Sequence, residues 1–459
     1  MKNIFLIALF IFFANAEAKS TPSFNAKLHA LIKSVDSNIS YSVIIADSKS
    51  KKILYQQNAK QNFLPASTLK LFTAFAGLNY LGSNYQYRTE LLAEDNKPPD
   101  NFTYQGNIIL KFTGDPSLTI DDLDNLIKAI SEKGIHKING SLFIDDLKQD
   151  QVGWSVGTVL EDTKFCFSAP VTAIIINKNC VSAEATLMPD KKIKLSSPET
   201  EFVNFDNRLN YSTAPALANL IAHENNQYLL TGHIADSMHL QMAIQNNRLF
   251  CKKIISALLT KYQIEMTQGI HFEKSPQSTV SIASHLSPPL SDLMTTMLKE
   301  SDNLIANAIF KTIDHTTSNN NQSWSSNSLL VKKLIAKKLH INTSEISIAD
   351  GSGASIYNLI KPIHLISLLN YLVDNHPNFL TMLPHAGVDG TLKNRMTDPK
   401  IEVYAKTGTE TGISSLAGYL VTHNKRKLSF VIMINHGLHD RRTYKSLEDK
   451  ICYLIYHSF

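Results

Sequence analysis

Between about residues 87 and 283 the chain stops resembling its own two ends, and that interruption restricts the folds open to it. Ahead of it, residues 41–46 (YSVIIA) are apolar and β-branched, 47–52 (DSKSKK) are polar and turn-like, and 53–55 are apolar again, which reads as a β-hairpin. The stretch FLPASTLKLFTAFAGLNYLG follows. Its Leu69, Phe72, Phe75 and Leu78 recur at spacing three, so a helix is expected from Ser67, ending near Gly82. Inside the interruption short strand-like runs dominate (107–112, 141–144, 172–177, 228–233), with helices expected at 120–133 and 215–223. Helical character returns from about 284: 290–312, broken near Ser301, then 329–339 and 362–374. The polar, Ser/Asn-rich stretch 315–328 reads as a surface loop. Strands are expected at 402–405, 416–422 and 428–435. A terminal helix over about 441–456 follows; its Glu448 and Asp449 favour core packing over a membrane surface. The whole reads as a multidomain α/β chain. One domain is built from 19–86 and 284–459, and an α+β insertion at 87–283 is long enough for two small domains.

Composition narrows the function classes. With 459 residues, 43% hydrophobic and 19% charged, the chain is globular, with room for about two to three domains. The 45 basic and 40 acidic residues leave a net charge of +5, too mild for a dedicated nucleic-acid binder and compatible with an anionic polymer nearby. Lys2, an apolar run over 4–14 and small residues at Ala14, Ala16 and Ala18 read as a signal peptide within 1–18. No later uncharged apolar run is long enough to span a bilayer, so the expected mature protein is exported and has no integral membrane segment. Four cysteines, Cys166, Cys180, Cys251 and Cys452, allow three pairings or free thiols. Cys166 with Cys180 is the preferred pair, because these two bracket one apolar run. There is no CxxC and no HExxH, so neither a metal nor a cofactor is expected.

Three short motifs carry the chemistry. Ser67-Thr68-Leu69-Lys70 puts an amine one turn after a hydroxyl, on the same helix face. A serine hydroxyl needs a base to become a nucleophile, and a lysine serves only when its pKa is lowered. Ser301-Asp302-Asn303 offers a hydroxyl and an amide to one cleft, with Asp302 expected to fix the loop. Lys406-Thr407-Gly408-Thr409, after the expected strand 402–405, supplies a cation, two hydroxyls suited to a carboxylate, and a glycine past which a substrate backbone can come close. On an edge strand its backbone would join the N–H of Ser67 in an oxyanion hole. Each motif alone is a weak signal; together, in this order, they are the set found in penicillin-binding proteins and class A β-lactamases.

The chain thereby resembles the D-alanyl-D-alanine carboxypeptidase/endopeptidases of the low-molecular-mass class C penicillin-binding proteins. Beyond the triplets the likeness extends to GDPSL from Gly114, DGSG from Asp350, LPHAGVDGTLKNRM from Leu383 and AKTGTETGISSLAGYL from Ala405. The resemblance implies a β-lactamase/transpeptidase-like catalytic domain interrupted by a large insertion, which suits the 234 residues separating Ser67 from Ser301. It implies peptidoglycan stem peptides and cross-links as substrates and β-lactams as acylating inhibitors; the signal-like N-terminus predicts the periplasm of a two-membrane bacterium as location. By motif, Ser67 resembles the acylated nucleophile and Lys70 its base. Ser301 and Asn303 match the second motif, and Lys406, Thr407, Gly408 and Thr409 the substrate-binding strand. Three positions depart from the family: Glu410 replaces an apolar residue, and Ala354 and Ile356 replace Leu and Arg. These leave catalysis intact and bear on substrate preference. A β-lactamase and a non-catalytic peptidoglycan-binding or drug-sensing protein on the same scaffold are the competing readings.

Overall fold

The computed structural model describes residues 23–459 except 148, 277–278 and 315–322; the expected leader at 1–18 lies outside the described residues. One antiparallel five-stranded sheet organises both ends of the chain, in the order Glu402–Glu410, Ile413–Val421, Lys427–Asn435, Ser40–Asp47, Ile53–Gln57. Ser40 pairs with Asn435 and Asp47 with Leu428, so an early strand is locked against the last one. These strands are apolar at consecutive positions because both sheet faces are covered. Ile44, Ala46, Val431 and Met433 pack among the helices Lys70–Tyr80, Leu290–Lys299, Asn303–Thr312 and Pro362–Asn375. Val43, Ile45, Phe430 and Ile432 share the opposite core with the helices Phe24–Val35 and Arg441–Ser458. The last helix buries Leu447, Ile451, Cys452 and Ile455 there, as its acidic residues suggested.

The first and last strands of the interrupting segment pair with each other, Arg88 opposite Leu286, which returns the chain to where it left. They belong to a second five-stranded sheet, in the order Ile270–Phe272, Leu142–Asp145, Ile108–Lys111, Arg88–Ala93, Val280–Leu286. The helix Ile120–Glu132 connects the parallel strands Ile108–Lys111 and Leu142–Asp145, and two three-stranded sheets fill residues 180–243. A separate core holds these elements together through Leu110, Ile127, Ile144, Tyr228 and Phe250. The fold class expected from the sequence is the one formed: an α/β domain around the first sheet, interrupted by an α+β insertion.

Several local expectations change. Residues 215–223 are not a helix: Leu217–His223 is a strand paired antiparallel with Gln227–Ile234. Its Leu and Ala content imitates a helix, but Leu217, Asn219 and Ile221 alternate outward, which is the period of a strand. Residues 172–176 are buried, but 172–177 form no strand. Side chains replace a ladder there: Asn179 Nδ2 donates to the carbonyls of Pro170 (2.9 Å) and Ile174 (3.2 Å), and Asn247 Nδ2 to that of Ile174 (3.0 Å). The run is apolar because it lies at a seam, with Val171 and Ile175 in the core against the first sheet and Ile174 and Ile176 in that of the insertion. Of the loop expected at 315–328, residues 315–322 lie outside the described residues, and Trp324–Leu339 is one helix capped by Ser323. Trp324, Val331, Leu334 and Ile335 form its buried face, which intervening serines obscure in the sequence. Cys166 and Cys180 are joined in a disulfide, and Cys251 and Cys452 are buried thiols. Among the described residues no helix is long and apolar enough to cross a membrane.

Candidate active site

Ser67 sits on a 3₁₀ turn, Ala66–Leu69, rather than in the α-helix expected to begin there; the α-helix starts at Lys70. Side chains three apart eclipse in a 3₁₀ turn, so the tighter winding stacks Lys70 over Ser67. Lys70 Nζ lies 2.8 Å from Ser67 Oγ. Ala66 holds φ at +46°, a left-handed conformation that costs a non-glycine residue about 1–2 kcal/mol. Gly353 passes directly against this turn: a Cβ on it would stand 1.9 Å from Ala66 O.

Lys70 has no exposed surface. Besides Ser67, its Nζ reaches Asn303 Oδ1 (2.6 Å) and the carbonyl of Ser352 (2.9 Å). Burial pulls its pKa down to about 8, against the opposing charges of Asp350, Asp302 and Glu410. A neutral amine has two N–H bonds and one lone pair. The two acceptors take the N–H bonds, and the lone pair is left facing the Ser67 hydroxyl.

The second motif is split between a turn and a helix, with Ser301 at φ +59° and Asn303 as the first helical residue. Asp302 caps that helix, accepting from Ile305 N (2.9 Å), and its other oxygen pairs with Lys178 (2.7 Å). Asn303 Nδ2 donates to the carbonyl of Phe167 (2.9 Å), which turns Oδ1 toward Lys70.

The third motif lies inside the edge strand Glu402–Glu410, not after a strand ending at Ala405. Lys406 is fully buried, and its Nζ donates to Ser301 Oγ (2.9 Å) and the carbonyl of Thr407 (2.7 Å). Burial, and then the charge of Lys70, push its pKa well below the lysine range. Thr407 Oγ1 donates to Thr391 Oγ1 (2.8 Å). Gly408 has a different reason from the one the sequence suggested. A Cβ there would lie 2.2 Å from Ser415 Oγ, 2.9 Å from Pro65 O and 3.0 Å from Ser67 N, so the glycine lets the strand close on the Ser67 turn. Pro384 and Ala386 cover the outer edge of the strand as far as Ala405. Beyond it, Thr409 and Glu410 line a cavity of about 430 Å³ with Asp162 and Phe167. Glu410 keeps contact with solvent, yet crowding by protein raises its carboxyl to about 7, against the pull of Lys70 and with help from Asp162 and Asp350.

The structure therefore brings Ser67, Lys70, Ser301, Asn303, Lys406 and the Thr407–Thr409 run into one cleft. Sequence reasoning missed Ser352, Phe167 and Thr391. The first two act through backbone carbonyls, which leave no mark in a sequence. Asp350 organises the Ser352 turn, accepting from Gly353 N (2.8 Å), Ser355 N (3.1 Å) and Ser352 Oγ (2.8 Å). DGSG could have pointed to it. Among the described residues no cluster of His, Cys, Asp or Glu is arranged to hold a metal ion.

A partly exposed serine against a buried lysine of lowered pKa, beside the end of an edge strand, defines a serine enzyme of the acyl-transfer class. The chain belongs to the D-Ala-D-Ala carboxypeptidase 3 (S13) family, whose profile matches residues 24–454. It is 32% identical over 432 residues to the D-alanyl-D-alanine carboxypeptidase DacB of Haemophilus influenzae, covering 91% of this chain and 90% of the relative. The crystal structure of penicillin binding protein 4 (dacB) from Haemophilus influenzae matches with a TM-score of 0.86 at 30% identity, over 94% of this chain and 99% of that one. A second structure of that protein, complexed with a novel β-lactam, matches with a TM-score of 0.80, again at 30% identity and with the same coverage. Membership of the family makes this chain a serine-type D-Ala-D-Ala carboxypeptidase.

Proposed function

We propose that the chain is an exported cell-wall peptidase. It releases terminal D-alanine from pentapeptide stems and also cuts the D-alanyl cross-link to a neighbouring stem, through an acyl-enzyme on Ser67. The observation that carries the assignment is the threefold surrounding of Lys70 Nζ by Ser67, Asn303 and Ser352. Neutral Lys70 accepts the hydroxyl proton as Ser67 Oγ bonds to the carbonyl carbon of the D-alanyl residue. The resulting oxyanion faces the N–H of Ser67 and the edge strand, which Gly408 allows to lie this close. The peptide C–N bond then breaks. The leaving nitrogen takes a proton by way of Ser301 Oγ, which Lys406 holds in position. Water repeats the sequence on the ester and restores Ser67.

Thr409 is the hydroxyl open to the substrate carboxylate, Thr407 joins it by turning its proton away from Thr391, and the buried Lys406 acts from behind them. The carboxylate supplies the opposite charge that Lys406 lacks in the free site, so its arrival favours the protonated lysine. A β-lactam follows the same path, its ring amide opening to an ester on Ser67. The leader-like residues 1–18 support the periplasm of a two-membrane bacterium as the location of the mature enzyme. Residues 87–283 form a built-in module whose segment around Phe167 borders the cleft. The test is incubation of the purified mature chain with pentapeptide and cross-linked muropeptides. Free D-alanine and monomeric stems are expected, and both must vanish in Ser67→Ala; intact cross-links would refute the endopeptidase part alone.

A further inference from the structure

Both ends of one strap meet at a single buried ammonium outside the cleft. Lys311 lies on the helix that begins with Asn303, and its side chain has no exposed surface. Its Nζ donates to Asp150 Oδ1 (2.7 Å) and to the carbonyls of Asp150 (3.3 Å), Val152 (3.1 Å) and Val171 (3.1 Å). It also sits 5.2 Å from the ring centroid of Trp324, whose Nε1 donates to the carbonyl of Val152 (2.9 Å). A methionine would fill the same volume with no charge to desolvate. What a lysine adds here is the capacity to hold peptide carbonyls from two distant points of the chain.

Residues 152–171 run out from this point and back to it. Val171 N donates to Gly153 O (2.8 Å) and Trp154 Nε1 to Ser168 O (2.8 Å), which closes the strap on itself. Ser355 Oγ donates to Val156 O (2.7 Å), and Ile356 N to Gly157 O (3.1 Å), which fasten it to the loop that carries Ser352. The strap offers Phe167 O to Asn303 Nδ2. A carboxamide fits either way round. Reversed, Asn303 would present N–H groups to Lys70, and the neutral amine would lose one of the two acceptors that orient its lone pair.

We propose that Lys311 is a positioning residue for acyl transfer: it gathers both ends of the strap 152–171 so that Phe167 O keeps the Asn303 oxygen turned to Lys70. The proposal rests on the roles given above to Ser67, Lys70 and Asn303.

The test is Lys311→Met in the full mature chain, with acylation by a fluorescent penicillin and cleavage of a D-alanyl-D-alanine peptide followed from pH 6.5 to 9.5. Acylation should slow on the order of 10- to 100-fold, the range expected when a reacting group is displaced from a distance. The loss should fall on kcat more than on KM, and the pH limb of acylation should move. A merely destabilised protein would lose active fraction with its limb in place. A folded Lys311→Met enzyme with the wild-type rate and limb overturns the proposal. Should that variant not fold, Trp154→Phe removes the strap's bond to Ser168 and keeps an aromatic ring. It must slow acylation and move the limb likewise, and an unchanged Trp154→Phe enzyme overturns the proposal. Ser67→Ala is run beside them: if it still labels, the reading of the site has failed and the role of Lys311 falls with it, whereas a silent Ser67→Ala beside a normal Lys311→Met refutes the strap alone.

Discussion

Acylation of Ser67 should climb with pH along a limb near 8, and Glu410→Gln should shift that limb downward. Lys70 is useful as a base only when neutral, so activity belongs to the high-pH side of its titration. With its pKa at about 8, about a tenth of the enzyme holds neutral Lys70 at pH 7 and about half at pH 8. The acylation rate should therefore rise about fivefold over that unit and less than about twofold beyond it. The Glu410 carboxylate is one of the charges that favour the ammonium form of Lys70. Replacing it with an uncharged amide lowers the pKa of Lys70, and about half a unit would raise the rate near pH 7.5, where most of Glu410 is charged, by up to about twofold. Because Glu410 itself titrates at about 7 and Lys70 at about 8, the difference between the two enzymes should be largest between these values, fading below as Glu410 is neutralised and above as Lys70 becomes neutral in both. Rapid-quench labelling with a fluorescent penicillin, in buffers of constant ionic strength, reads both curves. A flat wild-type profile between pH 6 and 9 would refute the neutral-lysine mechanism. A Glu410→Gln limb displaced upward would refute the electrostatic reasoning.

Lys406→Ala should slow cleavage of a free-carboxylate peptide by about tenfold or more, the equivalent of about 1.36 kcal/mol. Equal wild-type rates on the free and the carboxyl-amidated peptide would remove the carboxylate role from this motif. Gly408→Ala drives a methyl against Pro65 O and Ser67 N, so penicillin labelling should fall on the order of 100-fold with the fold retained by circular dichroism; normal labelling would contradict the packing argument. Arg395 bridges the buried Glu448 (2.9 Å) and Asp449 (2.6 Å), and Arg395→Met leaves Glu448 without its cation. Denaturant unfolding should show a loss of about 3–5 kcal/mol, and a loss under about 1 kcal/mol would show the pair to be dispensable.

What the sequence revealed of the site was what is local in the chain. Ser67 and Lys70 are three residues apart, so helical geometry alone brought them together. Ser301 with Asn303, and Lys406 with Thr409, were legible for the same reason. Their convergence on one cleft was legible only through the resemblance, since no spacing argument folds 234 residues back on themselves. Ser352 and Phe167 were illegible because the atoms they contribute are main-chain oxygens, identical in every residue. The fold followed a similar division. Residues 41–46 and 428–435 declared themselves as strands because a sheet covered on both faces needs uninterrupted apolar runs. Residues 172–177 carried the same signature for another cause, burial between two cores with Asn179 and Asn247 in place of a neighbouring strand. Apolar content reports burial, and only the partners of the backbone distinguish a strand from a buried irregular segment.

The central claim is that Ser67 becomes the acyl ester, and the most direct measurement is mass-spectrometric peptide mapping of the purified chain after brief exposure to benzylpenicillin. The account predicts a single penicilloyl adduct on the peptide containing Ser67, with fragmentation placing the added mass on that hydroxyl. An adduct on Ser301, on a lysine or on any other serine would contradict it.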